Sequence, residues 1–368
     1  MDFTLSAEQT LLTDSAARFL SERYGLGHYR ATTERGGFDP ESWARFAEMG
    51  WLSLPFIEDE AGGLDSLEDV MLLLIAFGRA LVIEPYVTSL LLGGRILSRT
   101  RGGEDSLLSG LAEGNVRVAL AHDETNVPSH ANAEIAVTAD TADGGYRIKG
   151  RKRAVQDAPH ATHLIVTARL KGKLALLLVP ADAPGMVRQD YRQLDGTRAA
   201  DIAFEQVSLP ADALLVSGDD ARALLSEALD HARLGCLAQS IGSTERVLEL
   251  CSDYLKVREQ FGRKIGSFQA LRHIMAGMFV EAQEARSILY MAAASMRGDP
   301  AARGRALDQA SVVIGEAADH IAKAGIQLHG GYGMTDEFAV SHHFKRLLVL
   351  GKIFGEGQDA LVRLAELA

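Results

Sequence analysis

The sequence has few cysteines, no surplus of cations and no long apolar run, and each shortage excludes a class of protein. Only Cys236 and Cys251 are present among 368 residues. Both fall in apolar, helix-like contexts, so we predict buried thiols. A disulfide framework or a cysteine-based zinc site is excluded, and a reducing cytoplasm is the expected compartment. The apolar run 71–77 is too short to cross a bilayer.

Acidic residues outnumber basic ones, 49 to 38, which gives a formal net charge of −11. Such a chain is repelled by nucleic acid and by anionic membranes, so neither is expected as a partner. The first residues lack a basic region followed by an apolar core, so no signal peptide is predicted. Any anion site must therefore be a local basic spot on an acidic body.

The apolar pattern divides the chain into three ranges, 1–115, 116–217 and 218–368. In the first and third, apolar residues recur with the period of an α-helix, and Ser6 and Gln9 have the spacing of a capping box. In the middle range, turn residues separate short β-branched segments roughly every eight to twelve residues, as in a sandwich or barrel. The sequence therefore predicts an α+β fold with helical, all-β and helical domains in that order.

A break in the last helical range carries cations and aromatic residues. The stretch 257–269 reads VREQFGRKIGSFQ and places Arg258, Arg263 and Lys264 beside Phe261. Arginine binds phosphate through two charge-assisted hydrogen bonds, and glycine lets a backbone approach a ligand closely. The stretch predicts either a contact with something anionic and planar or a plain helix–helix turn with a solvated basic face.

A second glycine-containing motif, QLHGGYGMTDEF, occupies 327–338 after a helix-like run. Gly330 and Gly331 either end that helix or present consecutive backbone N–H groups to an anion. Glycine-rich turns are common, so this motif alone leaves both interpretations open.

Together the two motifs resemble the acyl-CoA dehydrogenase family. The N-terminal FTLSAEQTLLTDSAARFL and the central GTRAADIAFEQVSLPAD fit the same family, so the resemblance covers the whole chain. It implies a helical N-terminal domain, a β-barrel middle domain and a C-terminal four-helix bundle. It also implies FAD as cofactor and oxidation of an acyl-CoA between Cα and Cβ to the enoyl-CoA.

In that family an R-x-x-F-G motif, the glutamine of an F-Q step and a Q-x-x-G-G-x-G motif reach across a subunit interface. They hold the pyrophosphate and adenosine end of the neighbour's FAD. The resemblance therefore assigns cofactor binding to six positions here: Arg258, Phe261, Gln269, Gln327, Gly330 and Gly331. Because all six residues match the motifs, we expect this chain to offer an intact cofactor arm to a partner.

The chain departs from the family at the base that removes the α-proton. The usual glutamate position is Gly355, and Glu356 lies one residue later, which on a helix rotates the side chain by about 100°. A second base position, used by some members just before an arginine, is Ala232. The base is thus unknown from the sequence, with Glu356 a poor substitute, and Arg233 is expected near the bound CoA or substrate.

The segments expected beside the flavin ring also depart from the family. The stretch 121–130 lacks the usual Thr-Glu-Pro and Gly-Ser-Asp steps, and 150–159 has Ala154 for a tryptophan and Gln156 for a threonine. Without the indole, the wall that stacks beside the isoalloxazine ring is lost. Three nearby histidines show no metal-ligand spacing, and we interpret them as polar strand or loop residues: His122, His160 and His163.

An intact cofactor arm without a base resembles the small subunits of heteromeric bacterial acyl-CoA dehydrogenases of the pimeloyl-CoA and steroid-degrading types. HHFKRLLVLGKIFG and REQFGRKIGSFQ resemble the pimeloyl-CoA dehydrogenase small subunit in particular. The resemblance implies a cytoplasmic heterotetramer in lipid or steroid catabolism. Its expected partners are acyl-CoA, a base-bearing large subunit, and electron-transferring flavoprotein or a similar acceptor.

Three alternatives remain open from the sequence. The first is a self-sufficient homo-oligomer that uses Glu356 or Glu337 as an unusual base. The second is a non-catalytic structural partner, although such a role gives no reason to keep the cofactor arm. The third is oxidase or monooxygenase chemistry on the same fold, because a fold does not determine a reaction.

Overall fold

The computed structural model describes residues 5–57, 67–101, 106–125, 133–142, 144–354 and 357–366. They fall into two compact units, each built from segments that are distant in sequence. Unit 1 comprises Met1–Ala31, Leu67–Val82 and Arg233–Ala368, and unit 2 comprises Thr32–Ser66 and Ile83–Ala232. The three consecutive ranges expected from the sequence stay a prediction.

Eleven α-helices occur in the described residues, and α9 of unit 1 contacts α8, α10 and α11. They are α1 (Ala7–Arg23), α2 (Leu26–Glu34), α3 (Pro40–Glu48), α4 (Leu67–Ala80), α5 (Arg95–Thr100), α6 (Ser106–Ala112), α7 (Asp219–Val257), α8 (Gln269–Ser295), α9 (Pro300–His329), α10 (Ala339–Leu350) and α11 (Gly357–Glu366).

Local capping explains where several helices begin and end. The Ser6 hydroxyl accepts from the Gln9 amide while the Gln9 side chain accepts from the Ser6 amide, so the predicted capping box is confirmed. The Asp299 carboxylate caps α9 by accepting hydrogen bonds from backbone N–H groups in the first turn of that helix. The helix ends at Gly330, whose φ of +60° favours glycine.

Two glycines let α4 and α7 approach each other closely inside unit 1. A Cβ at Gly78 would lie 1.9 Å from the carbonyl oxygen of Gln239, and one at Gly242 would lie 1.9 Å from that of Ile75. The two backbones are therefore in direct contact, and only glycine fits on both sides.

Unit 2 contains one eight-stranded sheet with the order β6-β7-β3-β2-β4-β5-β8, and β1 pairs in parallel with β4. Its strands are β1 (Val118–Ala121), β2 (Thr138–Ala142), β3 (Gly145–Gln156), β4 (His163–Leu170), β5 (Lys173–Pro180), β6 (Met186–Arg192), β7 (Arg198–Leu209) and β8 (Leu214–Ser217). Strands β4 and β5 are almost wholly buried, which explains their continuous apolar runs. The predicted α+β class is confirmed.

Both cysteines are buried free thiols, as the sequence predicts. Over the described ranges, no helix is long and apolar enough to cross a membrane. Among the same residues, no group of three or more histidine, cysteine or acidic side chains is arranged to hold a metal ion.

Candidate functional site

Four of the six predicted cofactor residues line one cavity of about 500 Å³ in unit 1, which we call the cradle. Arg258 reaches it from the end of α7, while Gln327, Gly330 and Gly331 reach it from the end of α9. The two motifs, well separated in sequence, thus meet because both helices end at the same place.

The backbone of Arg258 is fixed by hydrogen bonds, whereas its guanidinium contacts only an aromatic ring among the described residues. Its amide donates to the Tyr254 carbonyl at 2.9 Å, and its carbonyl accepts from the Ile265 amide at 2.9 Å. The guanidinium carbon lies 5.5 Å from the centroid of the Tyr332 ring. In the part of the chain that the structure describes, the guanidinium makes no ion pair. Its charge and its donors therefore remain available to an anion.

The two glycines of the cradle are explained differently. Gly330 has a φ of +60° and ends α9, so the fold itself favours glycine there. Gly331 does not have a left-handed φ, and a Cβ built on it would meet nothing within 4 Å. Since the described chain gives no reason for glycine at 331, the missing side chain fits close approach of a ligand to the backbone.

The other two predicted cofactor residues lie outside the cradle. Phe261 is 91% exposed, has a φ of +57° and contacts Phe268 edge-on at 6.1 Å between ring centroids. Gln269 is exposed at the start of α8, where its side chain lies 3.5 Å from His273. Both are exposed and do not line the cradle, so they are accessible to another molecule.

Sequence reasoning missed the aromatic floor of the cradle. Tyr254 stacks on His329 with 4.5 Å between centroids, and Tyr332 packs against Phe338 at 5.4 Å. Burial lowers the pKa of His329, so the ring is neutral and its Nδ1–H donates to the Gly325 carbonyl at 2.8 Å. The floor is therefore uncharged, and Arg258 supplies the positive charge. Tyr332 stands inside the glycine motif, which was the available signal.

A second cavity in unit 1, of about 420 Å³, lies between α7, α9, α10 and α11, and we call it the helical cavity. Arg233 lines it, as expected of a residue near the substrate. Its Nη2 donates to Asp308 Oδ1 at 2.6 Å and to Ser311 Oγ at 3.1 Å. Most of the wall is apolar, including Leu237, Val312, Ile314, Leu347, Phe354 and Leu361.

Asp308 is shared by two arginines. Arg363 donates through Nε to Oδ2 at 3.0 Å and through Nη2 to Oδ1 at 2.6 Å, opposite Arg233. Burial alone would raise the pKa of Asp308, but the hydrogen bond from Arg363 and the charge of Arg233 lower it overall. Asp308 therefore holds both guanidinium groups together at the edge of the helical cavity.

Within the residues that the structure describes, the base positions place no carboxylate at the helical cavity. Ala232 is completely buried, and Gly355 and Glu356 lie outside the described residues. Glu337 is exposed and is not among the residues lining the helical cavity.

Among the described residues, Glu316 and Asp319 are the acids that line the helical cavity, and Asp319 accepts from Lys323 Nζ at 2.7 Å. Both lie on the exposed side of α9.

The two positions expected beside a flavin are used within the sheet of unit 2. Ala154 sits at a bulge between β3 and β7 with a φ of +49°, and its amide donates to Asp201 Oδ1 at 3.1 Å. The side-chain amide of Gln156 donates through Nε2 to the Ala154 carbonyl at 3.1 Å, and its Oε1 accepts from the side chain of Gln193. The side chain of Gln156 is therefore already engaged by this chain.

A buried ion pair, also missed from the sequence, anchors the same strand. Lys152 Nζ donates to Glu124 Oε1 at 2.8 Å, Thr167 Oγ1 at 2.8 Å and the His122 carbonyl at 2.9 Å. Burial lowers the pKa of Lys152 to about 8, and the bond to Glu124 opposes that shift. With its three acceptors, Lys152 is a structural group.

The three histidines also make structural contacts. His122 is buried, with Nδ1 3.1 Å from Thr167 Oγ1, and His160 stacks on Phe38 at 5.3 Å. Burial lowers the pKa of His160 to about 4, so its ring is neutral at pH 7. His163 Nδ1 lies 3.0 Å from the Thr162 hydroxyl. These contacts agree with the interpretation of all three as polar strand or loop residues.

Two family models match the chain. "Acyl-CoA dehydrogenase, middle domain" matches residues 119–207, and "Acyl-CoA dehydrogenase, C-terminal domain" matches 222–365. Acyl-CoA dehydrogenase FadE12 of Mycobacterium tuberculosis strain H37Rv is 29% identical over 353 residues, covering 92% of this chain and 90% of its own.

Two solved structures share the fold over nearly the whole chain. A variant of the Tcur3481-Tcur3483 steroid ACAD has a TM-score of 0.86 at 27% identity, covering 99% of this chain and 98% of its own. The ChsE4-ChsE5 complex from Mycobacterium tuberculosis has a TM-score of 0.87 at 24% identity, covering 100% and 98%.

Proposed function

The chain belongs to the acyl-CoA dehydrogenase family, and from that premise we propose that it is one subunit of a FAD-dependent enzyme that oxidises acyl-CoA to enoyl-CoA. Its part is to complete the flavin site of a neighbouring subunit. The cradle holds the pyrophosphate and adenosine end of FAD, with Arg258, Gln327, Gly330 and Gly331 on its wall and Phe261 and Gln269 reaching beyond it.

One observation carries this proposal: within the described residues, the Arg258 guanidinium makes no ion pair, and neither φ nor packing requires glycine at position 331. A guanidinium without an ion pair beside backbone that a side chain would not crowd is suited to pyrophosphate, since arginine donates two charge-assisted hydrogen bonds and bare amides donate more. The residues present therefore fit the cofactor of the family.

The reaction needs a base that this chain's aligned positions do not supply. A carboxylate takes the proton from Cα as hydride leaves Cβ and the Cα=Cβ bond forms; FAD, when bound, accepts that hydride. The methyl group of Ala232 and the bare backbone of Gly355 cannot accept a proton. We therefore assign the base to a large partner subunit.

The flavin ring, like the base, is assigned to the partner subunit. Ala154 offers no indole to stack on it, and Gln156 is already bonded to Ala154 and Gln193. This supports a flavin whose ring is enclosed by the partner while its adenosine end is held by the present chain. We also propose that the helical cavity, beside Arg233, binds the part of the acyl-CoA substrate that contacts this subunit.

For the assembly we propose a heterotetramer of the small-subunit class, acting on lipid or steroid acyl-CoA, with electron-transferring flavoprotein or a similar acceptor. By sequence motif, we assign the chain to the type of the pimeloyl-CoA dehydrogenase small subunit. Similarity to the Tcur3481-Tcur3483 steroid ACAD at 27% identity supports this assignment.

The test is the flavin affinity of the native assembly, purified through a tag on this chain. Arg258→Gln should weaken FAD binding by about 10- to 150-fold, since a charge-assisted phosphate contact is worth roughly 1.5–3 kcal/mol. Lys256→Gln is the control, because this nearby cation is exposed and paired with Asp253. Equal FAD affinity in both variants would refute the assignment of the cradle.

A homomeric enzyme is the second candidate, because one chain carries both the cradle and the helical cavity. The visible spectrum of the chain purified alone separates the two. A colourless chain that gains flavin only with a partner supports the small-subunit assignment. A yellow chain that oxidises acyl-CoA by itself supports the homomer.

A further inference from the structure

Arg258 is oriented by an aromatic ring, whereas several half-buried arginines of unit 1, such as Arg79 and Arg233, are paired with carboxylates. Its guanidinium carbon lies 5.5 Å from the Tyr332 centroid, and both residues line the cradle. A carboxylate partner would neutralise the charge and consume donors. A ring attracts the cation through its negative face and leaves the five N–H donors in the guanidinium plane open.

Tyr332 is itself fixed in place. Its ring packs against Phe338 at 5.4 Å, and its carbonyl accepts from the Thr335 amide at 3.2 Å and the Thr335 hydroxyl at 3.0 Å. Phe338 in turn meets Tyr254 edge-on at 6.5 Å between centroids. The ring under Arg258 therefore belongs to a packed aromatic cluster.

We propose that Tyr332 is a positioning residue of the cradle: its ring holds the Arg258 guanidinium in place with charge and donors free for the pyrophosphate of FAD. The inference rests on the proposed function of the cradle. Arg286 provides the contrast within the chain, because it lies 5.8 Å from the Tyr290 ring but is also paired with Glu245 at 2.5 Å.

The experiment measures FAD dissociation constants of the native assembly, freed of flavin and titrated with FAD, with ADP as a competing probe. Tyr332→Leu should raise the dissociation constants of both FAD and ADP by about two- to fivefold, which corresponds to the loss of an exposed cation–π contact. Tyr332→Phe keeps the ring and should bind as the unchanged protein does. Tyr290→Leu removes a ring under a different arginine and should leave FAD affinity unchanged, with thermal unfolding confirming that each variant is folded.

A double-variant comparison separates positioning from general damage. In an Arg258→Gln background, Tyr332→Leu should weaken FAD binding no further, because the ring acts through that arginine. Full additivity, equal weakening by Tyr332→Phe, equal weakening by Tyr290→Leu, or no effect of Tyr332→Leu would each overturn the inference. If Arg258→Gln itself leaves FAD affinity unchanged, the proposed function fails and not only the role of Tyr332.

Discussion

Arg233 and Arg258, the two arginines that the family resemblance singles out, are held in opposite ways. Arg233 is largely buried and bonded to Asp308 and Ser311, so its charge is already matched by this chain. Arg258 lies over a ring and, within the described residues, has no carboxylate partner. The sequence predicts the residue type at both positions, but only the surroundings show which guanidinium is free to bind an anion.

Asp308 provides a prediction at the same scale. Asp308→Asn should lower the free energy of unfolding at pH 7 by roughly 3 kcal/mol, because it removes a largely buried carboxylate that both Arg233 and Arg363 bond. Denaturant unfolding measures the change. Asp319→Asn is the control, since its pair with Lys323 is exposed and should be worth under about 1 kcal/mol.

The difference between the original protein and Asp308→Asn should depend on pH. The folded-state pKa of Asp308 is lowered, so its stabilisation is present above the unfolded pKa of about 4 and is lost as pH falls through the folded value. Unfolding curves of the two proteins should therefore converge in acid. A gap that stays constant from pH 7 to well below pH 4 would contradict this assignment.

At the scale of the elements, the crossing of α4 and α7 is possible only because two residues lack a Cβ atom. Gly242 faces the Ile75 carbonyl and Gly78 faces the Gln239 carbonyl, so the helices meet backbone to backbone. In the sequence, Gly242 appears only as a poor helix former within a helical run. Gly242 is needed because it contacts α4, a helix that is distant in the sequence.

Gly242→Ala should therefore destabilise the chain, although alanine is the better helix former. A Cβ 1.9 Å from the Ile75 oxygen forces the helices apart, and overpacking of this kind costs about 1–3 kcal/mol or more. Gly304→Ala in α9 is the matched control, because its Cβ meets nothing within 4 Å and should stabilise by up to about 1 kcal/mol. Thermal unfolding that ranks the two variants the other way would refute the crossing.

For the whole molecule, the exposed face of α8 departs from the sequence pattern. The helical repeat predicts one apolar stripe, and Met278, Ala282 and Ala285 are indeed buried. Phe279 is the apolar neighbour of Met278 in the sequence, yet it is 57% exposed in the isolated chain, and Val280 beside it is also exposed. Exposed apolar residues on the helix that follows the cofactor arm suit contact with another subunit.

Phe279→Asp should therefore weaken the assembly. Burying a phenylalanine is worth about 1.5–3 kcal/mol, and a carboxylate in its place adds a desolvation cost, so subunit dissociation should rise at least about tenfold. Native mass spectrometry or sedimentation at several concentrations measures it. Leu11→Asp on α1 is the control at a residue that is 71% exposed. Equal dissociation in both variants would exclude a specific role for α8.

The sequence by itself determined the features that depend on neighbours along the chain. Helical and β periods predicted the order of elements, and Ser6 and Gln9 predicted a cap. The end of α9 at the glycine motif was one of the two interpretations that the motif allowed. The motifs also predicted the cofactor residues, and the sequence alone shows Ala232 and Gly355 at the two aligned base positions.

Tertiary structure alone decided the features that depend on distant segments. It brought Arg258 to Gly331, put the Tyr332 ring under the guanidinium, gave Asp308 to Arg233, and exposed Phe279. Periodicity reports which face of a helix is apolar, because that depends on the helix alone. Which other helix covers that face, and which charge meets which, follows from packing between segments far apart in the chain, and no local pattern encodes it.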